Sequence, residues 1–248
     1  MRLLIINPNT STSVSELIDA EARRVAAPDT RITTLTAQLG VAYIETRFES
    51  LIAGYATALL AAEHAPSHDA MIVAAFGDPG ITGLREAMDI PVVGLTEAAL
   101  MTASMLGQRF SIIAISSRIT SWYRENVERN GLASRLASIR NLQDPLRDIG
   151  TVQDDHAEKL VALCQEAVTQ DHADVIILAG APLAGLARRV KDRLPVPVVD
   201  GVSSAVCHAE TLAKLAPQGA VEGSFARPPI KPNSGLPAPL ADLLARRS

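Results

Sequence analysis

The sequence predicts an α/β protein of two pseudo-symmetric lobes, each a parallel sheet flanked by helices, with an interlobe cleft. Three observations carry this expectation. Short aliphatic runs bounded by Gly, Pro or Asn alternate with longer stretches rich in Ala and Leu. The aliphatic runs are continuous rather than alternating in polarity, the habit of strands covered on both faces in a parallel sheet. The chain also repeats itself: Asp69–Gly80 aligns without gaps on Asp174–Gly185, and about twenty residues later Ile90-Pro-Val-Val-Gly94 meets Val196-Pro-Val-Val-Asp200. Upstream, Leu3–Asn7 is matched with Ser111–Ile115.

In chain order, the apolar run Leu3–Ile6, ended by the turn residues Asn7 and Pro8, is the first buried strand, and Thr12–Ala26 the first helix. Strands are predicted next at Arg31–Thr36, Ala70–Ala75 and Val92–Val93, then at Phe110–Ile115, Ser138–Asn141, Val175–Leu178 and Val196–Val199. Helices are predicted at Ser50–Ala65, Ile81–Met88, Glu97–Leu106, Thr120–Asn130, Asp154–Gln170, Leu183–Arg193 and Ser203–Leu215. The repeat divides the chain into one lobe of residues 1–97 plus 200–248 and another of residues 98–199. The tail Phe225–Pro237 is too rich in proline for regular structure and wraps over either the cleft or another subunit.

Composition narrows the function classes. Apolar residues make up 48% and charged residues 20% of the chain, a globular and not a disordered composition. A net charge of −4 leaves no basic face for nucleic acid or an anionic membrane. No apolar run approaches the ~20 residues of a membrane span, and the N-terminus lacks a signal-peptide core. Cys164 and Cys207 fall in helical stretches without metal-ligand spacing and read as small buried hydrophobes of a reducing cytoplasm. Neither a metal nor a cofactor is expected; the expected partner is a small-molecule ligand, and the Ala-rich helices are compatible with a homo-oligomer.

In open parallel α/β sheets, ligands bind beyond the carboxyl ends of the strands. Five such turns are expected to converge on the cleft: Asn7–Ser11, Ala75–Gly80, Ser116–Thr120, Gly180–Gly185 and Asp200–Ser203. Asn7, Asn9, Thr10 and Ser11 offer amides, hydroxyls and free N–H groups at a helix start, suited to an anion or a carbonyl oxygen, or else to capping that helix. In the glycine-rich turn Phe76, Gly77, Asp78, the carboxyl group of Asp78 either serves as an acid/base or caps Ile81–Met88. Tyr43 and Glu45, after the second strand, either overhang the cleft or are solvated. Ser116 and Ser117 either donate to a ligand or cap the next helix. Gly180, Ala181 and Pro182 complete the set.

At these residues the sequence resembles the Asp/Glu/hydantoin racemase superfamily, in its hydantoin and allantoin racemase branch. The carriers are Ile5–Ser11, Phe76-Gly77-Asp78-Pro79-Gly80, Pro91–Gly94 with the helix from Glu97, and Pro197–Gly201. The resemblance implies a pseudo-symmetric pair of α/β lobes, no cofactor, and an interlobe site binding an amino-acid derivative, cyclic imide or carboxylate. It implies one cysteine per lobe, working on opposite faces of a carbon next to a carbonyl. At those two positions this sequence has Ala75 and Gly180. A methyl group and a hydrogen cannot shuttle protons, so the residues permit a racemase-type isomerase, lyase or decarboxylase without thiols, or a binding protein that kept the cleft.

Overall fold

The computed structural model describes residues 1–143 and 148–245. Its first half runs β1 (Arg2–Asn7), α1 (Thr12–Val25), β2 (Arg31–Thr36), α2 (Arg47–His64), β3 (Ala70–Val73), α3 (Ile81–Ala87), β4 (Val92–Gly94) and α4 (Leu95–Leu106). The second half repeats that order with β5 (Phe110–Ala114), α5 (Thr120–Arg129), β6 (Leu136–Asn141), α6 (Val152–Asp155), α7 (Ala157–Thr169), β7 (Val175–Leu178), α8 (Leu186–Val190), β8 (Val198–Asp200) and α9 (Gly201–Leu215). A last helix, α10, spans Ala238–Ala245. Two parallel four-stranded sheets result, ordered β2-β1-β3-β4 and β6-β5-β7-β8.

Matching hydrogen bonds mark the two halves as copies. Asp69 N donates to the Arg2 carbonyl at 2.8 Å and Asp174 N to the Arg109 carbonyl at 2.8 Å. Met71 N reaches the Pro91 carbonyl at 2.9 Å, and Ile176 N the Pro197 carbonyl at 3.0 Å. The alignments of Asp69–Gly80 with Asp174–Gly185, and of Ile90 with Val196, therefore match the strand registers. The pairing of Leu3–Asn7 with Ser111–Ile115 is one residue out. Leu3 stands beside Ala70 as Phe110 stands beside Val175, so Leu3 corresponds to Phe110 and Asn7 to Ala114. Two aliphatic runs carry no internal marker of register; the ladder fixes it, since a one-residue slip would exchange the two faces of the strand.

The halves share their cores. Ile44, Ala75 and Phe76 of the first pack with Phe110, Ile112, Trp122 and Tyr123 of the second. Ala181 and Ala184, after β7, join the core under the first sheet. α4 follows β4 but packs on β7, α9 follows β8 but packs on α1 and β3, and the two helices lie against each other.

Two expected helices differ, and one helix is unforeseen. Asp154–Gln170 is broken at His156 into α6 and α7, because α6 is pinned by the Gln153 amide, which donates to the carbonyls of Pro182 at 2.9 Å and Ala184 at 2.8 Å. Within Leu183–Arg193 only Leu186–Val190 is α-helical, since Gly185 at φ +80° cannot continue a right-handed turn. α10 was not expected; its Leu243 packs against the core under α2. Cys164 is buried, and burial pushes its thiol up to about 12, whereas Cys207 is exposed on the outer face of α9, contrary to its expected burial. Both thiols are free. The tail before α10 runs along the first half, where Gly219 N donates to the Asp89 carbonyl at 2.9 Å, Arg227 pairs with Asp89, and Phe225 lies against the Arg85 guanidinium. No helix among the described residues is long and apolar enough to cross a membrane.

Candidate functional site

A cleft of about 810 Å³ opens where loops from the two halves face each other. The turn after β1 contributes Thr10, Ser11 and Thr12, and the turn after β5 contributes Ile115, Ser116 and Ser117. The loop after β2 adds Ala42, Tyr43 and Glu45, and the loop after β6 adds Leu142, Gln143, Asp148 and Ile149.

The two asparagines of the first turn build it from behind. Asn7 is buried, and its Nδ2 donates to Asn9 Oδ1 at 3.0 Å, the Ser11 carbonyl at 3.1 Å and Ser15 Oγ at 2.9 Å. Asn9 N donates to Asn7 Oδ1 at 3.2 Å, and Ser11 N to Asn9 Oδ1 at 2.9 Å. Ser11 then caps α1 through Val14 N. Thr10 and Ser11 are thereby presented to the cleft, while Asn7 and Asn9 do not line it.

The loop after β2 is held at both ends. Thr10 N donates to the Val41 carbonyl at 3.0 Å, and the loop's far end closes on a capping box. Glu49 N donates to Thr46 Oγ1 at 3.2 Å, and Glu49 Oε2 accepts from the N–H groups of Thr46 at 2.9 Å and Glu45 at 2.7 Å. Between them the Tyr43 ring packs on the second half's core. Burial pushes the Tyr43 phenol well above the ordinary tyrosine range, with Tyr123, Glu45 and Glu49 adding to the effect. Thr46→Ala is expected to cost about 1 kcal/mol, measured as a lower urea midpoint with an unchanged slope.

The turn after β3 lies outside the cleft lining. Phe76 packs against Tyr123 with ring centroids 4.7 Å apart and planes tilted by 52°, and Gly77 sits beneath the Trp122 indole. Asp78 is 3% exposed, and its carboxylate accepts from Thr96 N at 2.8 Å and Glu97 N at 3.0 Å. It caps α4, not α3, because the chain folds the turn onto the next helix in sequence. Burial raises its pKa to about 7, Glu97's charge adds to this, and the two backbone N–H groups oppose it. In the second half the corresponding residue is Leu183, and Asp200 takes over. Asp200 accepts from Gly185 N at 2.6 Å and from Val202 N and Ser203 N at the start of α9. Its counterpart in the first half is Gly94, where a Cβ would collide with the Asp78 carboxyl. Each half thus has one buried carboxylate tying its glycine-rich turn to a helix start, supplied from exchanged positions.

The expected convergence of five turns therefore holds for those after β1 and β5. The turn Ala75–Gly80 is covered by α5, and Ala181 and Pro182 are buried. Asp200 and Ser203 bond to Gly185 and Glu21 respectively. The loops after β2 and β6 take their place. Tyr43 and Glu45 were legible as candidates; Gln143 and Asp148 were missed, although the repeat pairs their loop with the one bearing Tyr43.

Register equates Ala75 with Gly180, since Ala74 N and Ala179 N make matching bonds to the carbonyls of Ile6 and Ile113. Ala75 presents a nearly buried methyl group. Gly180 has φ +112°, where side chains rarely sit, yet a Cβ there would meet only Pro182 Cδ at 3.5 Å. Space is present; a compatible backbone is not. No cluster of metal-binding side chains occurs among the described residues.

Duplicated parallel α/β halves that share their cores and open one polar cleft between their strand-end loops define the structural class. The sequence profile of the Asp/Glu/Hydantoin racemase family matches residues 3–209, and the chain belongs to that family. It is 37% identical over 238 residues to hydantoin racemase of Paenarthrobacter aurescens, covering 93% of this chain and 99% of that one. The structure of allantoin racemase from Klebsiella pneumoniae superposes with a TM-score of 0.90 at 34% identity, over 95% of this chain and 96% of that one. Arylmalonate decarboxylase shares the fold, with a TM-score of 0.64 at 19% identity over 87% of this chain and 94% of that one.

Proposed function

We propose that the chain binds a small amino-acid derivative or cyclic amide in this cleft and moves a proton at a carbon next to its carbonyl, without thiols or a cofactor. The observation that carries the reading is the cleft itself. Thr10, Ser11, Ser116 and Ser117 line it with hydroxyl groups, and Tyr43, Glu45 and Asp148 add titratable ones. Similarity to hydantoin and allantoin racemases supports the substrate class. The resemblance assigns cysteines to positions that Ala75 and Gly180 occupy, so the two-thiol route does not transfer. In this reading residues 1–97 with 200–248 form one lobe and 98–199 the other, a division supported by the crossed packing of α4 and α9. Free cysteines support a reducing cytoplasm. Exposed Phe48, Leu51, Met105 and Leu215 support a homo-oligomer.

Ala75 and Gly180 also favour a second reading, a binding protein that kept the cleft. One experiment separates the two. Single enantiomers of 5-substituted hydantoins, allantoin and acidic amino acids are incubated with the protein in deuterated water, and the α-proton signal is followed. Thermal melting is recorded alongside. Exchange together with a raised melting temperature is the expected result. A raised melting temperature without exchange leaves the binding protein, since ligand at 100 times its Kd adds about 2.7 kcal/mol of stability without being changed. Exchange with none of these compounds removes the proton-transfer reading.

A further inference from the structure

The loops after β2 and β6 correspond at their described ends. Ala37 N donates to the Asn7 carbonyl at 2.9 Å, and Leu142 N to the corresponding Ala114 carbonyl at 3.1 Å. Each loop ends on a threonine that precedes a helix, Thr46 before α2 and Thr151 before α6. Three residues before that threonine stands Tyr43 in one loop and Asp148 in the other, and both line the cleft.

Each of the two has an unused polar atom. The Tyr43 hydroxyl is buried and has no hydrogen-bond partner among the described residues, a cost that folding alone does not justify. Asp148 Oδ1 accepts from Gly150 N at 2.8 Å, while Oδ2 accepts from none of the described residues. We propose that Tyr43 and Asp148 form the proton-handling pair of the cleft, one from each wall. The proposal rests on the proton-transfer reading above. Asp148 takes the α-proton, and Tyr43 donates a hydrogen bond to the carbonyl oxygen on which charge gathers. Glu45, the other carboxylate lining the cleft, shares its loop with Tyr43 and leaves the opposite wall without a base.

The electrons balance within the pair and its ligand. The C–H bond breaks, its proton bonds to Asp148 Oδ2, and the electron pair forms the double bond of an enolate. Return of that proton from Asp148 restores the starting enantiomer. Delivery of a proton from water to the opposite face inverts it, and the hydroxide left behind takes the proton held by Asp148, restoring water and the carboxylate. Because burial keeps the phenol protonated, Tyr43 is a donor and not a base. Exchange is therefore unequal: the enantiomer that turns its α-proton to Asp148 exchanges, and its mirror image lags.

The test follows α-proton loss from each enantiomer of a 5-substituted hydantoin in deuterated water, with the wild type, Asp148→Asn, Tyr43→Phe and Glu45→Gln. Thermal melting with and without hydantoin shows that each variant folds and binds. The wild type is expected to exchange one enantiomer preferentially. Asp148→Asn and Tyr43→Phe are each expected to slow that exchange about 100-fold, with Asp148→Asn keeping its hydantoin-induced melting shift. Wild-type exchange in Asp148→Asn, equal exchange of both enantiomers, or loss in Glu45→Gln but not Asp148→Asn overturns the pair while proton transfer stands. A wild type that exchanges neither enantiomer overturns both.

Discussion

Gly77→Ala is expected to lower the melting temperature by about 10 °C, from a loss of about 4 kcal/mol. Two costs add at this position. Gly77 has φ +114°, outside the regions open to residues with a side chain. A Cβ there would also fall inside the Trp122 indole, whose Cε2 would stand only 2.8 Å away. Trp122 does not yield easily, because it packs in the apolar cluster that joins the two halves. Combining Gly77→Ala with Trp122→Leu should remove the overlap but keep the backbone cost, so the double variant should lose less than the sum of the singles. Thermal and urea unfolding of the four proteins measure this. A single variant melting within about 1 °C of the wild type would show that the turn is not held against α5 as described.

That contact explains part of what the sequence did and did not disclose. Strands were legible because both faces are covered, which leaves uninterrupted runs such as Met71–Val73 and Val175–Leu178. The repeat was legible where it carried punctuation: Asp69 and Asp174 each accept the backbone N–H of an arginine at a strand start, from Arg2 at 2.7 Å and Arg109 at 2.9 Å. Arg2 and Arg109 stand directly before Leu3 and Phe110 and mark the register of β1 and β5, but nothing inside Leu3–Asn7 or Ser111–Ile115 does, and an alignment of those runs alone slips by one residue.

The cleft was half legible. Loops with polar residues after β1, β2 and β5 could be picked out by composition. Nothing local says that Phe76 and Gly77 are roofed by Trp122 and Tyr123, residues far away in sequence. Nor does Asp148 declare itself, for its loop shares little composition with the Tyr43 loop, and the hydrogen bonds that open both make their kinship plain. The sequence also left Asp78 between two roles. Its partners, Thr96 and Glu97, belong to a helix beyond the next strand, and only the fold brings them to its oxygens.

Asp78 carries the second large effect. Asp78→Ala leaves two N–H groups at the start of α4 unpaired in a dry site beside Gly94, and is expected to cost about 3 kcal/mol. Asp78→Asn is more informative, because it keeps the shape and removes the proton. The native carboxyl titrates at about 7, and an unfolded one at about 3.9. Between these values the folded chain holds more protons than the unfolded chain, so stability falls as pH rises. The contribution is complete below about pH 4, declines towards pH 7 and is flat above it. An asparagine makes no such contribution, so the stability of the wild type relative to Asp78→Asn should fall between pH 4.5 and pH 7.5. Urea unfolding at both pH values measures this. A difference that stays level, or grows with pH, would mean that the N–H groups of Thr96 and Glu97 favour the charged carboxylate more than burial disfavours it, reversing the order of forces at this turn.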